Sequence, residues 1–176
     1  MTEGRAFANG IVHHVIHWHP KERNNAAPIV LCHGFLDTAW SYKWVAESLA
    51  ARGHAVSAFD WRGHGDSGWV GDGGYYHFPD YVRDLHLLIP QLTESDAPIN
   101  LVGHSMGGTA CTLFTGAVPD RVKTLTLIEG IGPMTHDVKV TPDRFGAFLR
   151  TTDKFDGAAR AHDSGSQAMP NIEDVL

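Results

Sequence analysis

Long apolar runs are missing from this chain. None approaches the roughly 20 residues that cross a bilayer, and the opening MTEGRAFANG has neither the basic nor the apolar stretch of a secretory leader. A soluble, cytoplasmic protein is expected. Basic residues are also short, with fourteen Lys and Arg against twenty Asp and Glu and a formal net charge of -6. Nucleic acids and anionic membranes draw a concentrated positive field, so neither is expected as the main partner, and a small neutral or apolar ligand fits better. Cysteine is scarce. Cys32 lies in an apolar strand-like run and Cys111 in a helix-like one, and both are expected as buried small side chains rather than a disulfide framework. Low-complexity segments and internal repeats beyond a strand-helix alternation are absent as well. What remains is 176 residues, 43% of them hydrophobic, enough for one domain with a real core.

Along the chain, GIVHHVIHWH has the composition of a strand, and PIVLCH (Pro28 to His33) is the short continuous apolar run of a buried parallel strand. Ser41 to Arg52 reads as a helix with Trp44, Val45, Leu49 and Ala46 on its apolar face and Gly53 as its stop. A strand over Ala55 to Asp60, a glycine-rich loop over Gly63 to Gly74 and a helix over Tyr81 to Leu92 follow. Then come a third buried strand INLVG, a helix over Met106 to Ala117 and a fourth strand over Val122 to Glu129. This alternation predicts an α/β fold, an open, mostly parallel sheet with flanking helices on both faces. Chemistry in such sheets gathers at the carboxyl ends of the strands. His33, Gly34 and Phe35, then Asp60, Ser105 and Glu129 all fall at such ends.

GHSMG at Gly103 to Gly107 fits G-x-S-x-G, a strand-to-helix turn that presents a nucleophilic serine. The residues two before and two after the serine are expected to crowd one another, which Gly103 and Gly107 permit; Gly108 and Ala110 let the helix approach the sheet. The helix N-terminus aims N–H groups and a positive dipole at charge developing in acyl transfer. The plainer reading is a glycine-rich turn whose serine only caps the helix.

LCHGF with AWSYKW, then FDWRGHGDS, then LVGHSMGG stand in the order and approximate spacing of three landmarks of the α/β-hydrolase superfamily. From about Ala27 to Pro133 the chain resembles the N-terminal part of such a protein. The resemblance implies Ser105 as nucleophile, with the backbone N–H groups of Phe35 and Met106 as the oxyanion hole and no cofactor or metal. It gives His33 and Gly34 a structural role in the oxyanion loop. His104 is expected to point away from Ser105, His64 and Asp66 to order a loop, and Arg62 to reach carbonyls or Asp60. His13, His17 and His19 share one strand face, formally a metal site; with no carboxylate beside them they read as an exposed edge-strand face. Trp40, Phe35, Trp69, Tyr75, Tyr76 and Phe78 are candidate pocket lining, equally compatible with packing.

The departures from the superfamily lie downstream. Its order is nucleophile, acid, histidine, yet after Ser105 the only histidines are His136 and His162, neither following a buried strand. Glu129 is a minor candidate acid. Residues 133–176, where Phe145, Phe148 and Leu149 suggest one short helix, resemble the start of a helical cap inserted after a core of residues 1–132. The expectation is a fold incomplete at its C-terminal side, with acid and histidine beyond Leu176, poorly soluble and without esterase turnover alone. The function implied is a serine hydrolase acting on a carboxylic ester or related acyl compound. A haloperoxidase-like or C–C-cleaving relative and a non-catalytic ligand-binding protein are the alternatives. Epoxide hydrolases and haloalkane dehalogenases share the landmarks but carry Asp at the nucleophile position.

Overall fold

The computed structural model describes residues 1–72, 74–93 and 96–130, with Lys139, Pro142, Asp143, Gly146 and Ala147 beyond them. The chain divides into two units, Met1–Pro133 and Met134–Leu176. The cap expected over residues 133–176, its helix at Phe145, Phe148 and Leu149, and His136 and His162 lie outside the described residues.

Six strands form one sheet: β1 (Thr2–Ala8), β2 (Ile11–Trp18), β3 (Ile29–Cys32), β4 (Val56–Phe59), β5 (Ile99–His104) and β6 (Val122–Ile128), in the order β1-β2-β4-β3-β5-β6. β3 pairs in parallel with β4 and β5, and β5 with β6, while β2 runs antiparallel to both β1 and β4. The expected mostly parallel sheet is therefore present, with an antiparallel hairpin on one side. β1 was not legible as a strand, because TEGRAFA buries only two alanines, Ala6 and Ala8. Its presence makes β2 an internal strand. The histidine face read as an exposed edge is accordingly corrected: His13 is fully buried, His17 half-buried with its Nδ1 on Ser57 Oγ at 2.9 Å, and only His19 is exposed. No cluster of three metal-binding side chains occurs among the described residues.

Alternate residues of the strands point to opposite faces, and each face carries its own core. Val30, Cys32, Phe59 and Leu101 pack under α2 (Phe78–Thr93) and α3 (Met106–Ala117) with Leu85, Leu88, Ile89 and Phe114. Ile29, Leu31, Val56 and Ala58 pack on the other side under a 3-10 turn, Ala39–Tyr42, and α1 (Lys43–Ala51). Cys32 and Cys111 are both free and buried, as composition suggested. Half of the apolar face expected for α1 packs on the sheet, Ala46 and Leu49, and half does not. Trp44 and Val45 are 76% and 53% exposed, and the side facing the sheet is Tyr42, Ala46, Leu49 and Ala50. Ala46, fully buried, is the small residue that lets the helix approach the strands. Among the described residues no helix is long and apolar enough to cross a membrane.

Candidate active site

Because β3, β4, β5 and β6 are parallel, His33, Asp60, Ser105 and Glu129, each following its strand, emerge at one edge of the sheet. Ser105 is the exposed residue between β5 and α3, with φ 47° and ψ −116°. That left-handed backbone is costly for a side chain bearing a Cβ and persists only where the surroundings impose it. Two bonds do so: the Ser105 N–H donates to Ile128 O at 3.0 Å, and its carbonyl accepts from Thr109 N at 3.1 Å. The Ser105 side chain makes no capping bond to α3, so the plainer reading of a cap serine does not hold.

The glycines explain how the turn closes. A Cβ on Gly103 would sit 2.6 Å from Gly108 Cα and 2.8 Å from the Gly107 carbonyl. One on Gly107 would lie 2.4 Å from the carbonyl oxygens of both Cys32 and His33. The expected mutual crowding of Gly103 and Gly107 is thus only half of the arrangement. Gly107 is needed chiefly because α3 is pressed against the end of β3, which brings the Ser105 turn beside the loop leaving that strand. Gly34 in that loop is close enough that a Cβ there would be 3.3 Å from Ser105 Cβ and 2.8 Å from His104 Nδ1. The His104 ring thus lies against the Gly34 backbone.

His33 is fixed at both nitrogens. Its Nε2 accepts the Trp61 backbone N–H at 3.0 Å, which puts the ring proton on Nδ1, from which it donates to Gly34 O at 2.7 Å. The Trp61 indole N–H donates in turn to His33 O at 2.9 Å. Burial pushes the His33 imidazole down to about 4, against an ordinary 6.5. A neutral ring with both nitrogens engaged serves as a brace for the loop rather than a base for Ser105. Phe35, next in the loop, is 59% exposed with its ring edge-on to His64 at 5.7 Å, and Leu36 holds φ 57°. Leu36, Ser105 and Glu129 are three of four described non-glycine residues with positive φ, and all three follow a strand at this edge. Such clustering of backbone strain marks functional sites. Leu36 had no signal in the sequence, since leucine has no preference for that conformation.

Arg62, expected to reach carbonyls or Asp60, does reach the Asn9 carbonyl at 3.4 Å, but its main partner is one not expected: its Nε and Nη2 grip both oxygens of Asp84 in α2 at 2.6 Å. Asp84 is fully buried. Its signal was available, a carboxylate in the helical stripe of Tyr81, Leu85 and Leu88. Asp60 does not meet Arg62 but holds the loops: its Oδ1 accepts from Ala39 N at 2.6 Å and its Oδ2 from Asp66 N at 3.0 Å. Gly65, at φ 48°, permits this wrap, since a Cβ there would lie 2.3 Å from Asp60 Oδ2. His64 donates from Nδ1 to Arg62 O at 3.0 Å, ordering the loop as expected.

Among the described residues no histidine hydrogen-bonds Ser105, and Glu129 is exposed. The aromatic side chains Trp40, Trp69, Tyr75, Tyr76 and Phe78 are all partly or largely exposed. A cleft of about 1000 Å³ lined by Trp18, Arg23, Glu47 and Arg52 opens at the opposite, amino-terminal end of β4, away from Ser105.

The profile of the serine aminopeptidase S33 family matches residues 23–157. The chain is 36% identical over 123 residues to the sn-1-specific diacylglycerol lipase ABHD11 of Mus musculus, covering 69% of this chain and 37% of that protein. It is 31% identical over 117 residues to methylesterase 4 of Arabidopsis thaliana, covering 66% and 44% respectively. A crystal structure of a hypothetical protein from Pseudomonas aeruginosa PAO1 superposes with a TM-score of 0.74 at 32% identity, over 86% of this chain and 51% of that one. The chain spans about half the length of these relatives or less. With the strained serine turn after β5, the braced loop after β3 and the strand order on which they sit, these similarities show that the chain belongs to the α/β-hydrolase superfamily.

Proposed function

We propose that this chain carries the nucleophile and oxyanion hole of a serine hydrolase acting on a carboxylic ester or related acyl compound. The observation that carries this reading is Ser105 itself: exposed, uncapped and held at positive φ at the N-terminus of α3, against the loop that bears Phe35. Ser105 Oγ attacks the acyl carbon, its proton passes to a base, and the carbonyl oxygen becomes an oxyanion held by the Phe35 and Met106 N–H groups. Collapse expels the alcohol and leaves the acyl group on Ser105, and water then releases the acid. The neutral, fully bonded His33 does not suit the role of base, so we assign the base and its acid to residues outside the described ones. Losing one oxyanion donor typically costs about 10² to 10³ in rate, which is why the brace on this loop matters.

Relatives that act on small esters and lipids support a small acyl substrate as partner. An epoxide-hydrolase reaction is disfavoured because a serine cannot form the carboxylate ester intermediate that an aspartate forms. Labelling with a fluorophosphonate probe tests the reading in the longest natural form of the protein. Ser105 is expected to be modified, and the Ser105→Ala variant to be silent. Absence of labelling, or equal labelling of the variant, would favour a non-catalytic ligand-binding role.

A further inference from the structure

His14 takes no part in the chemistry assigned to Ser105, yet through Asp60 it is tied to the loop after β4 and to the loop after β3, which lies beside that serine. It is 3% exposed in β2. Its Nδ1 lies 2.9 Å from Asp60 Oδ2 and its Nε2 2.9 Å from Glu3 Oε2. Carboxylate oxygens accept and do not donate, so each ring nitrogen faces an acceptor. The groups around it come from three elements. β1 supplies Glu3 and also Arg5, the cross-strand neighbour of His14, whose guanidinium is turned to the Asp66 carbonyl. The end of β4 supplies Asp60, and the loop after it supplies Asp66 and the Ser67 hydroxyl that accepts the His14 backbone N–H.

Asp60 is 1% exposed; apart from His14, its carboxylate accepts the backbone Ala39 N–H and Asp66 N–H, and the acceptor nitrogen of His33 lies 4.0 Å away. A carboxylate taken out of water needs charge-assisted partners to stay ionised and in place. We propose that His14 is a positioning residue: as a doubly protonated ring bridging Glu3 and Asp60, it holds the carboxylate that anchors the oxyanion loop at Ala39 and the following loop at Asp66. Glu3 has a half-exposed side chain, so the clamp ties a surface carboxylate of the N-terminal hairpin to the loop that carries Phe35. Its catalytic meaning rests on the serine-hydrolase reading; the ring's charge and the anchorage do not.

The test uses the 176-residue chain labelled with ¹⁵N-histidine, together with amide exchange in wild type, Glu3→Gln and His14→Gln. At neutral pH both His14 ring nitrogens are expected to show protonated-type shifts. The Ala39 amide is expected to exchange about tenfold faster in His14→Gln and less so in Glu3→Gln, with Leu88 in α2 unchanged. Glu3→Gln keeps an acceptor at a half-exposed position, so it decides the matter if His14→Gln fails to fold. An unprotonated ring nitrogen on His14, or unaltered Ala39 exchange in the variants that fold, overturns the proposal. Failure to label Ser105 with the ring signature and Ala39 protection intact removes the serine-hydrolase reading and leaves the clamp standing.

Discussion

Ser105 at φ 47° stores strain of about 1–3 kcal/mol, because its Cβ crowds the backbone there. Glycine adopts the same conformation without that cost. Ser105→Gly is therefore expected to be more stable than Ser105→Ala by about 1 kcal/mol, read as a higher urea midpoint; equal midpoints would place no strain at this residue. His33 gives a pH signature. Burial lowers its folded-state value to about 4 from 6.5. Between those values the unfolded chain takes up a proton that the folded chain does not. Stability therefore falls as pH drops from about 6.5 to about 4, by roughly 3 kcal/mol, and is unaffected by this group above that window. His13, lowered in the same direction by burial, steepens the fall. Urea midpoints across this range are expected to show a shallower acid limb in His33→Gln than in wild type, and parallel limbs would sink the argument. The strained turn at Ser105 was legible because G-x-S-x-G constrains a short turn locally. The state of His33 was not, because it depends on Trp61, twenty-eight residues away.

The elements show the same division. α2 was legible from its apolar stripe, and the structure places Tyr81, Leu85, Leu88 and Ile89 in the core. What periodicity did not reveal is that Asp84 in that stripe answers Arg62 across the domain. Both are buried, with a bidentate bond at 2.6 Å. Arg62→Ala leaves an uncompensated buried carboxylate and is expected to cost about 3–5 kcal/mol in equilibrium denaturation. The paired change Arg62→Met with Asp84→Leu is expected to recover most of that loss; failure to recover would mean that Arg62 acts through some other contact. In α1, hydrophobicity placed Leu49 correctly but not Trp44 and Val45. Trp44 is a large apolar residue left in water beneath Lys43, 5.0 Å from its ring centre. Small Ala46 takes the contact with the sheet, since close approach there rewards a small side chain over a hydrophobic one.

At the scale of the whole molecule, β6 pairs only with β5 among the described residues, and Thr126, Leu127 and Ile128 are exposed. An edge with free ladder groups and apolar side chains templates association. Sedimentation velocity is expected to show concentration-dependent self-association of the 176-residue chain, reduced in Thr126→Lys; identical behaviour of the two would point to another surface. The sequence by itself determined the strand-helix alternation, the mostly parallel sheet and the serine turn. Each of these follows from hydrophobic period and glycine placement within a few consecutive residues. Only the tertiary structure decided that β1 closes one side of the sheet, that His13 and His14 are internal, that Gly107 is pressed on β3, and that Asp60 and His14 hang two loops from one buried carboxylate. Those outcomes depend on groups far apart in the chain meeting where water is excluded. There a carboxylate or imidazole must find its partner, and no local pattern of residues announces which partner it will be.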